Sequence, residues 1–315
     1  MAARATRSAS RKARCTEAVA TGPFGALSHD ELGVIVDGLA DPLQPVVAVA
    51  LSSTCLGLRT PLRVALEALK ERHTRVLALC RRVGTAKSQL APWGLSTTCS
   101  NLRDAVVLHC NGEGDPLTAD ETATLGMILC ILPKLKKVFL HKVTFDGAGQ
   151  NLLCECFRRA CLPSLTDLSF TRCSLGPTVA EALAAAIRKG ALTKLETLGL
   201  GGNSFGTQGA AVLAPLRTLP RLRTLQLWRN NIGDEGVASL LDKLGKDDFK
   251  ALEIINLARN DITDVGCATV VASLDADAMP LLHSFRVVGD GQSQQAWAAV
   301  FDALARAQGR RGVAA

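Results

Sequence analysis

Apolar residues recur along the middle of this chain in a fixed frame rather than in continuous runs. Read as Leu-x-x-Leu-x-Leu-x-x-Asn-x-Ile, with positions numbered 1 to 11, the frame gives LETLGLGGNSF from Leu195, LRTLQLWRNNI from Leu222 and LEIINLARNDI from Leu252. Weaker copies start at Leu102 (LRDAVVLHCNG), Leu135 (LKKVFLHKVTF), Leu165 (LTDLSFTRCSL) and Leu282 (LHSFRVVGD). Successive starts lie 33, 30, 30, 27, 30 and 30 residues apart, which makes a seven-unit array. Leu198 and Leu200 alternate with Gly199, as Leu225 and Leu227 do with Gln226, so each unit predicts a short strand with one buried face. The second halves, GAAVLAPL, GVASLLDKL and GCATVVASL, carry helical spacing. A glycine stands six residues after each strong asparagine, at Gly209, Gly236 and Gly266, where a small residue lets the helix pack closely. The asparagine turns the chain, and its amide can bond backbone groups of neighbouring units. Cys110 and Cys173 stand at that position in weaker copies, and a thiol fills the role weakly.

These segments resemble the leucine-rich repeat family, and a period near 30 residues with a helical second half resembles its ribonuclease-inhibitor-like class. The resemblance covers residues 102–290 and implies an α/β horseshoe of parallel concave strands and convex helices. Each unit exposes an apolar face until a neighbour covers it, so the ends need caps. Residues 291–315 supply one: Ala296, Trp297, Val300, Phe301 and Leu304 follow helical spacing, and this closing helix is expected to end near Gln308.

The pattern before the repeats is different. Ser28 and Glu31 form a capping box with Leu27 and Leu32 at the staple positions, predicting a helix from His29 through Ile35, Val36 and Leu39 to the Asp41-Pro42 break. Pro45 opens a second helix through Val46, Val49, Ala50 and Cys55, and Pro61 a third through Leu66, Leu69, Val76 and Leu77 to Gly84. Residues 23–84 are thus expected to form a small all-α module, after a basic tail (1–22) and before a linker or N-cap (85–101). Leu27, Glu31, Leu32, Ile35, Leu39, Leu43, Ser52, Cys55, Leu58 and Arg59 resemble a degenerate F-box, with Ser28 where that family carries proline. The resemblance implies that Leu27, Leu32, Ile35 and Leu39 contact the small adaptor of a cullin ubiquitin ligase; a plain helical cap for the repeats is the other reading.

Composition narrows the classes. The 315 residues are 48% hydrophobic, enough for a sizeable core, and hold no run of ~18 apolar residues of the kind that spans a membrane. The first twenty residues lack a secretory apolar core, so the eleven cysteines are expected as thiols in a cytoplasmic or nuclear setting. Of the +7 net charge, Arg4, Arg7, Arg11, Lys12 and Arg14 contribute five, leaving +2 for the rest. That leader is either a solvated tail or an import signal.

Candidate chemistry is thin. GLGGNSFG at 199–206 has the glycines of a phosphate loop, but repeat register accounts for them and no Gly-Lys-Ser/Thr follows. Cys154, Cys156 and Cys161 lack a second Cys/His pair at finger spacing and read as structural thiols, while His109, His141 and His283 come from units 1, 2 and 7. We therefore expect no metal, no cofactor and no catalysis. The concave face carries the function instead, through Arg103, Asp104, Lys136, Lys137, Lys142, Asp167, Arg172, Glu196, Arg223, Arg229, Glu253, Arg259 and Arg286, a net charge of +5. Such a surface favours an acidic protein segment over nucleic acid or membrane. Trp228 beside Arg229, flanked by Gln226 and Arg259, forms an interface-type aromatic and arginine cluster, with Gly202 leaving room for a partner side chain. The alternative readings are a Ran-type GTPase-activating protein, since those activators resemble this repeat class, and a cytoskeletal or ciliary scaffold.

Overall fold

The computed structural model describes residues 41–42, 45, 63–86, 99–112, 117–132, 134–159, 162–241, 243–245, 247–276, 278–288 and 291–312. Two compact units divide the chain: residues 1–80 with 98–102, and residues 81–97 with 103–315.

In the first unit, α1 (Arg63–Cys80) buries Leu69, Val76, Leu79 and Cys80. Leu77, expected on the apolar face, is 45% exposed, and the helix closes at Cys80 rather than at Gly84. His73 Nδ1 sits 2.7 Å from the Pro42 carbonyl. The expected helices over 29–41 and 45–55, with Leu27, Leu32, Ile35 and Leu39, lie outside the described residues.

The second unit opens with β1 (Val83–Ala86), which pairs antiparallel with β2 (Val107–Asn111). Between them runs the short α2 (Cys99–Arg103), which up to Leu102 belongs to the first unit. From β2 onward strand and helix alternate: α3 (Ala119–Ile131), β3 (Lys137–His141), α4 (Gly147–Arg158), β4 (Asp167–Thr171), α5 (Pro177–Arg188), β5 (Thr197–Gly199) and α6 (Gly206–Val212). Then follow β6 (Thr224–Gln226), α7 (Gly233–Leu241), β7 (Ile254–Asn256), α8 (Asp264–Asp275), β8 (Ser284–Arg286) and α9 (Gln294–Gly312). The strands from β2 to β8 are parallel and hydrogen-bonded in sequence order, one per repeat. The core lies between sheet and helices. In unit 5, Leu222, Leu225, Leu227, Asn230 and Ile232 are all buried, and Leu200, Leu227 and Leu257 are at most 1% exposed.

The asparagines bind adjacent units together. Asn230 Oδ1 accepts from the Asn203 N–H (3.1 Å), and its Nδ2 donates to the carbonyls of Leu200 and Leu227 (2.9 Å each). Asn203 and Asn260 repeat the pattern, and all three amides are buried where an unpaired polar group would cost stability. Cys173 takes the same place, its Sγ donating weakly to the Leu140 carbonyl at 3.4 Å, and burial pushes its thiol up to about 12.

Three sequence expectations are corrected here. Leu108 pairs with Val138 and Cys110 with Leu140, so unit 1 begins at Ala105 rather than Leu102, and the 33-residue gap becomes a 30-residue one. Cys110 therefore occupies position 6, inside the strand, and not the asparagine position. The helix expected over GAAVLAPL in unit 4 ends at Val212 and gives way to a 3-10 turn over Ala214–Thr218, with Pro215 in its first turn. Finally, α9 runs on to Gly312 rather than ending near Gln308, and buries Val300, Ala303, Leu304 and Ala307; Trp297 and Phe301, expected in its closing face, are 38% and 54% exposed.

Candidate interaction surface

Strand pleating turns positions 3, 5 and 7 away from the helices, so the open face of the sheet is built from those residues alone. It is mostly uncharged: Phe139, Ser169, Gly199, Gln226 and Asn256 stand at position 5, and Asn256 Nδ2 donates to Gln226 Oε1 at 2.9 Å. Lys137 and Asp167 at position 3 pair with each other at 3.3 Å. The expected +5 surface is thus not a continuous floor. Arg103 and Asp104 precede the corrected unit 1, while Arg223 at position 2 pairs with Glu253 at 2.8 Å. Arg286 lies on the last strand.

Apart from Lys136 at position 2, the remaining positive charge is gathered at position 8, on the rim where each strand turns toward its helix. Lys142, Arg172, Gly202, Arg229 and Arg259 occupy it in units 2 to 6, with φ of 53°, 55°, 75°, 53° and 58°. The turn closes by a ladder of its own: the N–H groups of Lys142, Arg172, Gly202 and Arg229 donate to the carbonyls of Thr171, Gly201, Trp228 and Ala258 at 2.7–2.9 Å. Left-handed backbone favours glycine, and only Asn or Asp tolerate it readily otherwise. Position 10 obeys that preference with small polar residues, since Ser174, Ser204, Asn231 and Asp261 are also left-handed. Position 8 instead holds a long cation in four units of five. Conformation selects the residues at position 10; it does not select lysine or arginine at position 8.

Trp228 and Arg172 are brought together, though not as an open pocket. The Arg172 guanidinium lies 5.5 Å from the Trp228 ring centroid, within cation–π range. The indole packs on Gly201, where a Cβ would collide with it, and a Cβ on Gly202 would meet Arg172 Cγ at 2.8 Å. The space expected beside Gly202 for a partner side chain is therefore filled by Trp228 and Arg172. The signal was in the sequence: two glycines in unit 4 beside a tryptophan in unit 5. Arg229 and Arg259 are exposed at the same position of adjacent units and make no ion pair among the described residues.

His109, moved by the corrected register to position 5, faces the sheet's open side with His141 at position 7 of the next unit. Burial, and then the charge of His141, hold its pKa below the ordinary histidine range. His141 Nδ1 is 3.3 Å from Asn111 Oδ1. Cys154 and Cys156 are buried on α4, and Cys154 Sγ reaches the Thr178 carbonyl at 3.8 Å; Cys161 lies outside the described residues. Gly199, Gly201 and Gly202 serve close packing, as a Cβ on Gly199 would meet Ser169 Oγ at 2.7 Å, while Gly206 has open space around it and a φ of 68°. No described helix is long and apolar enough to cross a membrane.

Residues 219–241 and 251–271 match the Leucine Rich repeat family. These segments span units 5 and 6, and the same strand–turn–helix geometry extends in register over the other units as a leucine-rich-repeat-type solenoid. Repeats of this family generally bind protein partners.

Proposed function

We propose that this protein is a non-catalytic recognition protein of the cytoplasm or nucleus, holding an acidic segment of a partner along the position-8 rim. One observation carries the reading: cations occupy a left-handed position that backbone energetics reserve for glycine. Adjacent units stand ~4.8 Å apart, so Arg229 and Arg259 can take one carboxylate-bearing segment from both sides. Glycine at these two positions removes charge while relieving the backbone. The Arg229→Gly, Arg259→Gly double variant should keep or raise its Tm yet bind a fluorescent hexaglutamate peptide at least about fivefold more weakly, with a flatter salt dependence. Equal binding by the two proteins would refute the rim.

For residues 23–84, the order of residues supports an F-box-type contact with a ligase adaptor through Leu27, Leu32, Ile35 and Leu39. The matching test compares the whole chain with a truncation starting at Arg81, which keeps β1 in the sheet. Adaptor binding lost on truncation supports that role. A Ran-type GTPase bound by both proteins, or neither protein binding either partner, favours the GTPase-activating or scaffold reading.

A further inference from the structure

Among the described residues the sheet stops at β8, in the middle of its own bonding pattern. In units 4, 5 and 6 the position-6 N–H donates to the following strand, from Leu200 to Gln226, Leu227 to Asn256 and Leu257 to Arg286 at 2.7–2.8 Å. The equivalent N–H of unit 7, on Val287, has no strand beyond it among the described residues. Because Ser284 and Arg286 direct their backbone bonds to β7, Phe285 between them turns its N–H and C=O to the open edge. The carbonyls to either side are closed by side chains: Gln308 Nε2 donates to His283 (3.2 Å) and Gln292 Nε2 to Val287 (2.6 Å). What remains open is a short, central stretch of edge.

Beside it, between β8 and α9, lies a groove of about 490 Å³ lined by Phe285, Val288, Trp297, Phe301 and Leu304, with Arg286 at its mouth. Val288 and Phe301 are more than half exposed, and the rings of Trp297 and Phe301 stack 4.9 Å apart on α9. At this end Arg306 and Arg310 are both engaged by Asp275. Arg286 is exposed and makes no ion pair among the described residues.

We propose that this end of the solenoid binds an extended peptide segment of a partner protein, added to the sheet beside β8 with an apolar–acidic–apolar pattern. Main-chain bonds to Phe285 and Val287 would hold it. Side chains alternate across a strand, so residues two apart enter the groove while the one between them emerges on the opposite face, beside Arg286. A second copy fits this edge less well. Antiparallel pairing of β8 with its own copy about Phe285 sets two unpaired guanidinium groups on one face of a three-residue ladder, where like charges repel. The proposal is independent of the position-8 rim, which lies on other residues.

The test titrates the full chain into fluorescein-labelled Ser-Val-Asp-Val-Ser, with Ser-Val-Lys-Val-Ser as its control, and reads anisotropy. The aspartate peptide should bind in the range of tens of micromolar and the lysine peptide about tenfold more weakly. Arg286→Glu should reverse that preference. Trp297→Ala and Phe301→Ala should each weaken the aspartate peptide about fivefold with unchanged circular dichroism; Phe301, the more exposed, gives the reading if Trp297→Ala shifts the melt. The proposal is overturned by three outcomes: no rise in anisotropy as the protein approaches millimolar concentration, a preference that Arg286→Glu leaves unchanged, or sedimentation showing a dimer that Phe301→Ala dissociates, which assigns the edge to a second copy.

Discussion

Units 2 and 3 close the turn after their strands differently from units 4 to 6. Pairing of β2 with β3 and of β3 with β4 runs on to position 7, as in Asn111 with His141 and His141 with Thr171. From β4 to β7 it stops at position 5, at Ser169 with Gly199, Gly199 with Gln226, and Gln226 with Asn256. The difference follows position 9 of the later strand's unit. Where that residue is Asn203, Asn230 or Asn260, its amide donates to the position-6 carbonyl of the preceding unit, on Phe170, Leu200 or Leu227. Where it is Val143 or Cys173, no amide takes that carbonyl and the backbone ladder continues. The main-chain bonds of position 8 are common to both; what differs is the position-6 carbonyl, taken by a side-chain amide in one half and not in the other, so the two halves should respond differently to the same kind of substitution.

The largest effects are expected in the asparagine-bound half. Asn230→Ala strands the Asn203 N–H in the core and takes from the Leu200 and Leu227 carbonyls one of the two amide donors each has, Asn203 and Asn260 supplying the other, and should cost roughly 3–5 kcal/mol in urea melts. Leu227→Ala, with a fully buried side chain, should cost about 2–5 kcal/mol through transfer and cavity terms. In a nearest-neighbour array both losses should spread to adjacent units. Cys173→Ala removes only weak thiol contacts and should cost about 1 kcal/mol. A Cys173→Ala penalty equal to that of Asn230→Ala would remove the distinction between the halves.

A second comparison uses the helix glycines. A Cβ on Gly236 would meet Ile232 Cγ2 at 2.5 Å and Ala210 Cβ at 3.2 Å, whereas on Gly149, the same position in unit 2, the nearest atoms stand at 3.1–3.2 Å and are side-chain tips. Gly236→Ala should therefore lose about 1–2 kcal/mol despite the better helix propensity of alanine, and Gly149→Ala should stay within about 0.5 kcal/mol of neutral. Thermal melts of the two variants decide it, and equal shifts would show that the helices pack alike in both halves.

The same asymmetry explains what could be read in the sequence. Asparagine-bearing units are legible because their position-9 residue has one chemical task, bonding the backbone of its own and the adjacent unit. Unit 1 was placed three residues early because Leu102, Ala105 and Val107 satisfy the apolar frame as well as Ala105, Leu108 and Cys110 do; only the pairing of Leu108 with Val138 separates the two. For the surface, the cations at position 8 were visible as residues. Their left-handed backbone was not, because nothing in a lysine or arginine announces positive φ. The open edge at Phe285 was hidden for a different reason: Trp297 and Phe301 carry the spacing of a buried face, yet no strand among the described residues follows to cover them.

The smallest expected effect concerns acid. His109 is held below the ordinary histidine range by burial first and by the neighbouring His141 charge second, so the fold favours its neutral imidazole. The unfolded chain takes up the proton earlier, as pH falls through about 6.5, and in that window it binds more protons than the native state. Stability is therefore full above that pH and declines below it, down to the native pKa. Position 5 in units 4 to 6 holds Gly199, Gln226 and Asn256, none of which titrates, so acid softening from this source belongs to the N-terminal half. Hydrogen exchange at pH 5.5 and 7.5, corrected for intrinsic rates, should show β2 and β3 losing protection relative to β6 and β7. His109→Gln should flatten the pH dependence of stability between 5.5 and 7 without altering that of the asparagine-bound units. Equal acid sensitivity in wild type and variant would mean that His109 is as freely protonated in the fold as in the open chain.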